Sequence, residues 1–141
     1  MNLFSKLKED GYFAGTFLDK SLIQFCFMDI IRDELDEICL EWNSHSISSS
    51  RNSINPTGRP FVMYNMPELY ESSDYLLQVP DDEIEVVKNE CTFLDKGMPC
   101  DKDIFELCNV LIEEGHLEKP SDPYNAVNLY VYLRTQILNL L

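Results

Sequence analysis

The longest amphipathic pattern in this 141-residue chain begins near Asp19, which reads as an N-cap, and runs to about Trp42. Leu22, Cys26 and Ile30 recur at i, i+4. Ile23, Phe27, Ile31, Leu35, Ile38 and Trp42 form an adjacent row at spacings of three and four. Asp29, Arg32, Asp33, Asp36, Glu37 and Glu41 take the other side, so the pattern predicts one long helix over about 19–42. Upstream, Leu3, Phe4, Leu7 and Phe13 suggest a short amphipathic helix broken by Gly11 and Gly15. Met1 leads into it with no cap or turn, which implies a preceding segment in a longer parent.

Between Asn43 and Pro60 the periodicity stops and Ser, Asn, Gly and Pro predict a loop. Phe61-Val62-Met63-Tyr64 is compatible with a short extended piece, and Pro67-Glu68-Leu69-Tyr70 with a helical turn that has Pro at its first position. Three more helices follow, with acidic starts that suit the helix dipole. Ile84, Val87 and Cys91 line one after Pro80. Ile104, Leu107, Cys108, Leu111 and Ile112 line the next, which starts at Asp101 or Asp103 and ends at Gly115. Ser121-Asp122-Pro123 opens a terminal helix with Ala126, Val127, Tyr130, Leu133, Ile137 and Leu141 along one stripe. The expected fold class is mainly α: a small helical domain or fragment. Its organisation is expected as 1–80 followed by an acidic helical extension, 81–141.

Charge changes this picture more than composition does. Eleven Lys and Arg stand against 25 Asp and Glu, a net charge of −14, which argues against the chain holding nucleic acid alone, since that needs clustered bases. The imbalance is lopsided: residues 1–70 carry 6 bases and 10 acids, residues 71–141 carry 5 and 15. The one long acid-free stretch runs from Trp42 to Pro67 and contains His45, Arg51 and Arg59. No apolar run reaches the roughly 18–20 residues that span a bilayer, and the first residues lack the pattern of a signal peptide. Five cysteines, an odd number without a tight framework, read as free thiols. The expected setting is intracellular, nuclear or cytoplasmic, with no membrane role.

Motifs for chemistry are missing. There is no G-x-S-x-G, no Walker loop and no G-x-G-x-x-G. Cys91, Cys100, Cys108 and His116 are separated by eight, seven and seven intervening residues, without the C-x2-4-C knuckle of a zinc site. The acids of 33–37 read as a solvated helix face. No catalytic residue, metal, cofactor or small-molecule substrate is expected. Trp42 has two readings: a helix-end anchor that covers the core, which is preferred, or an aromatic that aims the loop after it.

Several pieces in order carry a resemblance. They are Phe17-Leu18-Asp19, Cys26-Phe27-Met28-Asp29, Glu34-Leu35-Asp36-Glu37, Trp42-Asn43-Ser44-His45, Pro56-Thr57-Gly58-Arg59-Pro60, Pro67-Glu68-Leu69-Tyr70, Asp74-Tyr75-Leu76 and Ala126-Val127-Asn128-Leu129-Tyr130. Together they resemble the C-terminal part of the integrase-core-domain proteins, the DDE integrase/transposase family of RNase H-like fold, in its transposon-derived animal form. The resemblance implies a parent whose two Asp and one Glu bind Mg or Mn and act on DNA. Those acids would lie upstream of Met1, and the Asn-Gln-Arg-Ile-Glu-x-Trp-Trp pattern that bears the glutamate has no counterpart here. In that reading the chain is a non-catalytic support. Trp42 and Asn43 anchor the structure, and His45, Arg51 and Arg59 are candidate contacts to DNA phosphates. The second expectation is a small acidic helical module that binds a protein partner or itself.

Overall fold

The computed structural model describes residues 3–49, 51, 56–91, 93 and 97–140. Six helices follow one another among them: α1 (Leu3–Glu9), α2 (Phe17–Ser44), α3 (Pro60–Asn65), α4 (Asp81–Glu90), α5 (Lys102–Glu114) and α6 (Pro123–Leu140). A single 3-10 turn covers Pro67–Tyr70. No strand occurs among the described residues, so the protein is mainly helical with one long helix, as the periodicity predicts.

The chain divides into two compact units, Met1–Asp33 with Leu94–Leu141, and Glu34–Phe93. The boundary expected near residue 80 therefore falls inside the second unit. Periodicity along the chain does not reveal that the terminal helices share a unit with the first residues.

The first unit holds the core. Leu22, Cys26, Cys108, Ala126, Tyr130 and Leu133 are each almost wholly buried, with Leu7, Phe25, Phe27, Cys100, Leu111, Leu129 and Ile137 around them. Leu22, Cys26 and Phe27 lie on the apolar face expected of α2, Cys108 and Leu111 on that of α5, and Ala126, Tyr130, Leu133 and Ile137 on that of α6. Phe25, Cys100 and Leu129 fall outside the expected rows. Burial of a large apolar side chain contributes about 1.5–3 kcal/mol. Aromatic edges fit between elements. Phe4 and Phe27 stand 5.1 Å apart, and Phe25 meets Phe105 edge-on at 5.6 Å. Leu141 lies outside the described residues.

The start of α2 differs from its expected form. Thr16, not Asp19, is the N-cap: its carbonyl accepts from Lys20 N at 3.1 Å, and its Oγ1 accepts from Asp19 N at 3.1 Å. Asp19 answers by accepting from Thr16 N at 3.2 Å and Ala14 N at 2.9 Å on Oδ2. This is a reciprocal capping box with Asp in the third helical position. It leaves Oδ1 of Asp19 free to reach α6. There Arg134 Nε donates to it at 2.8 Å, and the Tyr130 hydroxyl lies 3.2 Å away while donating to Tyr12 O at 2.8 Å.

Downstream helices start as their sequences predict. Asp101 caps α5 through Asp103 N and Ile104 N, and Asp122 caps α6 through Tyr124 N and Asn125 N, with Pro123 at the first position. Gly115 ends α5, although the left-handed residue that turns the chain is His116, at φ 49°.

The piece Phe61–Tyr64 is helical, not extended. Pro60 fixes the helical φ at the first position of α3, and Arg59 O accepts from both Val62 N and Met63 N. An extended tetrapeptide would need a partner strand for these amides, and the described residues supply none.

Candidate interaction surface

The second unit is built from the far half of α2, the loop after it, α3, the 3-10 turn, an open segment and α4. Its loop is clasped at both ends: Ile47 N donates to Gly58 O at 2.8 Å and Gly58 N to Ile47 O at 3.1 Å, an antiparallel bridge. Gly58 sits at φ 137°, a region side chains avoid, and the Tyr70 hydroxyl occupies the space its Cβ would need. The clasp therefore joins the loop to the 3-10 turn, which Glu71 closes in the left-handed conformation at φ 54°.

The clasp also gathers the chain around two of the residues singled out for DNA. His45, whose N–H donates to Glu41 O, lies two residues before Ile47, and Arg59 directly follows Gly58. Arg51 lies in the loop between them; all three are exposed. Arg59 occupies the N-cap position of α3 without a side-chain cap hydrogen bond. No hydrogen bond or ion pair links the three among the described residues.

Trp42 does not cover a core. It is 70% exposed, and its aromatic contact is His45, stacked at 6.1 Å with ring planes 21° apart. Asn43, paired with it as an anchor, is exposed in the last turn of α2. The physical reason is plain in the rest of the unit: none of the described residues of Glu34–Phe93 is buried. Leu35 and Ile38, on the same face of α2 as Trp42, are 54% and 58% exposed. Tyr75, Leu76 and Leu77 in the open segment are exposed as well, as is Val87 on α4. Sequence periodicity predicts that such faces are apolar; it carries no signal for whether anything lies on them.

Charge surrounds these open side chains. The unit holds twelve Asp and Glu against Arg51, Arg59 and Lys88. Among the described residues, none of these twelve acids forms an ion pair.

The cysteines divide between the two units by burial. Burial raises the Cys100 thiol to about 11 and the Cys108 thiol to about 12, and pushes Cys26 higher still. These three remain protonated packing groups, poor as nucleophiles. Cys91, expected on a helix core, is exposed at the end of α4, and Cys39 is exposed on α2. All five are free thiols, and the described residues contain no cluster of three metal-ligating side chains. No helix among them is long and apolar enough to cross a membrane.

Comparison with known proteins gives no relative: no family model, no curated protein and no solved structure matches the chain.

Proposed function

We propose that this chain is a non-enzymatic, intracellular protein-interaction module whose acidic second unit binds a basic protein partner. The carrying observation is a unit with no buried described residue, whose Leu35, Ile38, Trp42 and Val87 stand open amid a fourfold excess of acids over bases. Open apolar side chains of this extent mark interaction surfaces, and the surrounding charge selects the sign of the partner. The test is fluorescence anisotropy with two amphipathic peptides of identical apolar stripe, one edged with Lys and the other with Glu. Binding of the Lys peptide that weakens as salt rises supports the reading; equal binding of both peptides, or of neither, overturns it.

One observation favours a second reading, the support piece of an integrase-like core. The face of α2 that the resemblance would seat against a catalytic sheet is the face left open at Leu35 and Ile38, and the clasp draws the chain near His45 and Arg59 together. In that reading Arg51 and Arg59 position DNA phosphates. Duplex DNA binding at low salt, lost in the Arg51→Ala plus Arg59→Ala variant, would support it. An absence of binding would leave the arginines as solvated loop residues.

A further inference from the structure

The far half of α2 separates its apolar and acidic residues by edge. At the roughly 100° per residue of an α-helix, Leu35, Ile38 and Trp42 fall within an arc of about 60°. Glu34, Glu37 and Glu41 fall in a second row directly beside them, at the same spacing of three and four. On the opposite edge the uncharged Cys39 and Asn43 stand next to the stripe, and Asp36 lies beyond them, farther round the helix from the stripe than Glu34 and Glu41. No Lys or Arg occurs between Glu34 and Ser49, and the three glutamates form no ion pair among the described residues. The stripe ends in the largest aromatic of the chain, Trp42, with His45 stacked on it. Tryptophan is enriched among the few residues that dominate binding energies.

Building on the interaction reading above, we infer that this stripe is the docking site and that its occupant is an amphipathic helix of a partner protein. That helix lays its own apolar row along Leu35, Ile38 and Trp42, and carries Lys or Arg at a spacing of three and four on the edge that faces Glu34, Glu37 and Glu41. Helix-on-helix packing requires matched rows at this spacing, and Glu34 and Glu41, the acids that border the stripe most closely, fix which edge of the partner must be basic. A second copy of the chain fits less well, because each unit of twelve acids and three bases repels its like. The stripe on α4 is the weaker candidate: Lys88 borders Ile84 and Val87 on one side and Glu83 on the other, so no single sign of charge is selected.

The experiment uses the full chain and the Lys-edged peptide. Leu35→Asp plus Ile38→Asp should weaken binding about tenfold or more, while Ile84→Asp plus Val87→Asp should leave it within about twofold. Because all four positions are exposed, far-ultraviolet circular dichroism should report unchanged helix content. The charge-reversed variant Glu34→Lys, Glu37→Lys, Glu41→Lys should prefer the Glu-edged peptide over the Lys-edged one. Alkylation of Cys39 should slow when the Lys peptide is bound. If the α4 variant loses binding and the α2 variant keeps it, the inference fails while the interaction reading stands. If no variant or wild-type chain binds either peptide, both fail. Sedimentation as a dimer that Leu35→Asp plus Ile38→Asp converts to monomer overturns the inference in favour of self-association.

Discussion

Arg134 in the last helix donates from Nε to Oδ1 of Asp19 at 2.8 Å, and the carboxylate that receives it is 1% exposed. The other oxygen of the same carboxylate is committed to the Ala14 and Thr16 amides. One acid thus starts α2 and ties that start to α6, 115 residues along the chain. Removing a partner from a buried charge leaves it uncompensated. Arg134→Ala is therefore expected to destabilise the protein by about 2–4 kcal/mol in urea unfolding. Arg32→Ala, whose partner Asp29 is half exposed, should change stability by less than about 0.5 kcal/mol.

Burial alone would raise the Asp19 pKa, but the hydrogen bonds from Arg134, Ala14 and Thr16 outweigh it and hold the group at about 2, against an ordinary 3.8. A folded-state value below the unfolded one stabilises the fold above the unfolded value and is lost as pH falls through the folded one. The contribution of Asp19 is expected in full above about pH 4 and to fade between pH 4 and 2. Thermal melts of wild type and Asp19→Asn from pH 2 to 6 check this: the gap between them should close as pH falls. A gap independent of pH would remove the carboxylate from the account. The comparison with Asn isolates the contribution of Asp19 from that of the other 24 Asp and Glu residues.

Gly58 carries the clasp of the second unit, since its φ of 137° and the nearby Tyr70 hydroxyl both disfavour a side chain. Gly58→Ala should loosen the Ile47 bridge, at a local cost of roughly 1–3 kcal/mol. The measurement is hydrogen exchange at the Ile47 amide, which should speed up. Adding Tyr70→Phe removes the nearest atom and should restore part of the protection; a purely additive double variant would point to backbone strain alone.

Thiol reactivity separates the two units. Cys39 and Cys91 should react with a thiol reagent under native conditions, and Cys26, Cys100 and Cys108 only after unfolding. Counting modified cysteines by mass spectrometry before and after urea gives the answer: two, then five. Rapid native labelling of Cys108 would contradict the packing of α5 described above.

Much of this architecture is legible in the chain. The rows at three and four foretell α2, α5 and α6, and Leu22, Cys108, Tyr130 and Leu133 are buried where periodicity puts them. Thr16-Phe17-Leu18-Asp19 is a readable capping box, yet Asp19 alone resembles an N-cap because it precedes the apolar row just as well. Its bond to Arg134 has no local signal, for the two are brought together only by packing. Phe61–Tyr64 is ambiguous by composition, and Pro60 decides it. The largest gap concerns Leu35, Ile38 and Trp42. Their spacing announces an apolar face with the same force as Leu22 and Cys26, but amphipathicity states only that a face wants covering. Whether the same chain covers it depends on elements distant in sequence.

Trp42 offers the most direct measurement, being the chain's one tryptophan and placed on the proposed docking stripe. Its emission should be that of a solvent-exposed indole in the free protein. Titration with the Lys-edged amphipathic peptide should shift the emission to shorter wavelength and reduce acrylamide quenching, with both effects weakening as salt rises. The Glu-edged peptide should leave the spectrum unchanged. An emission already characteristic of a buried indole before any addition, or one that neither peptide moves, would contradict an open acidic stripe that receives a basic helix.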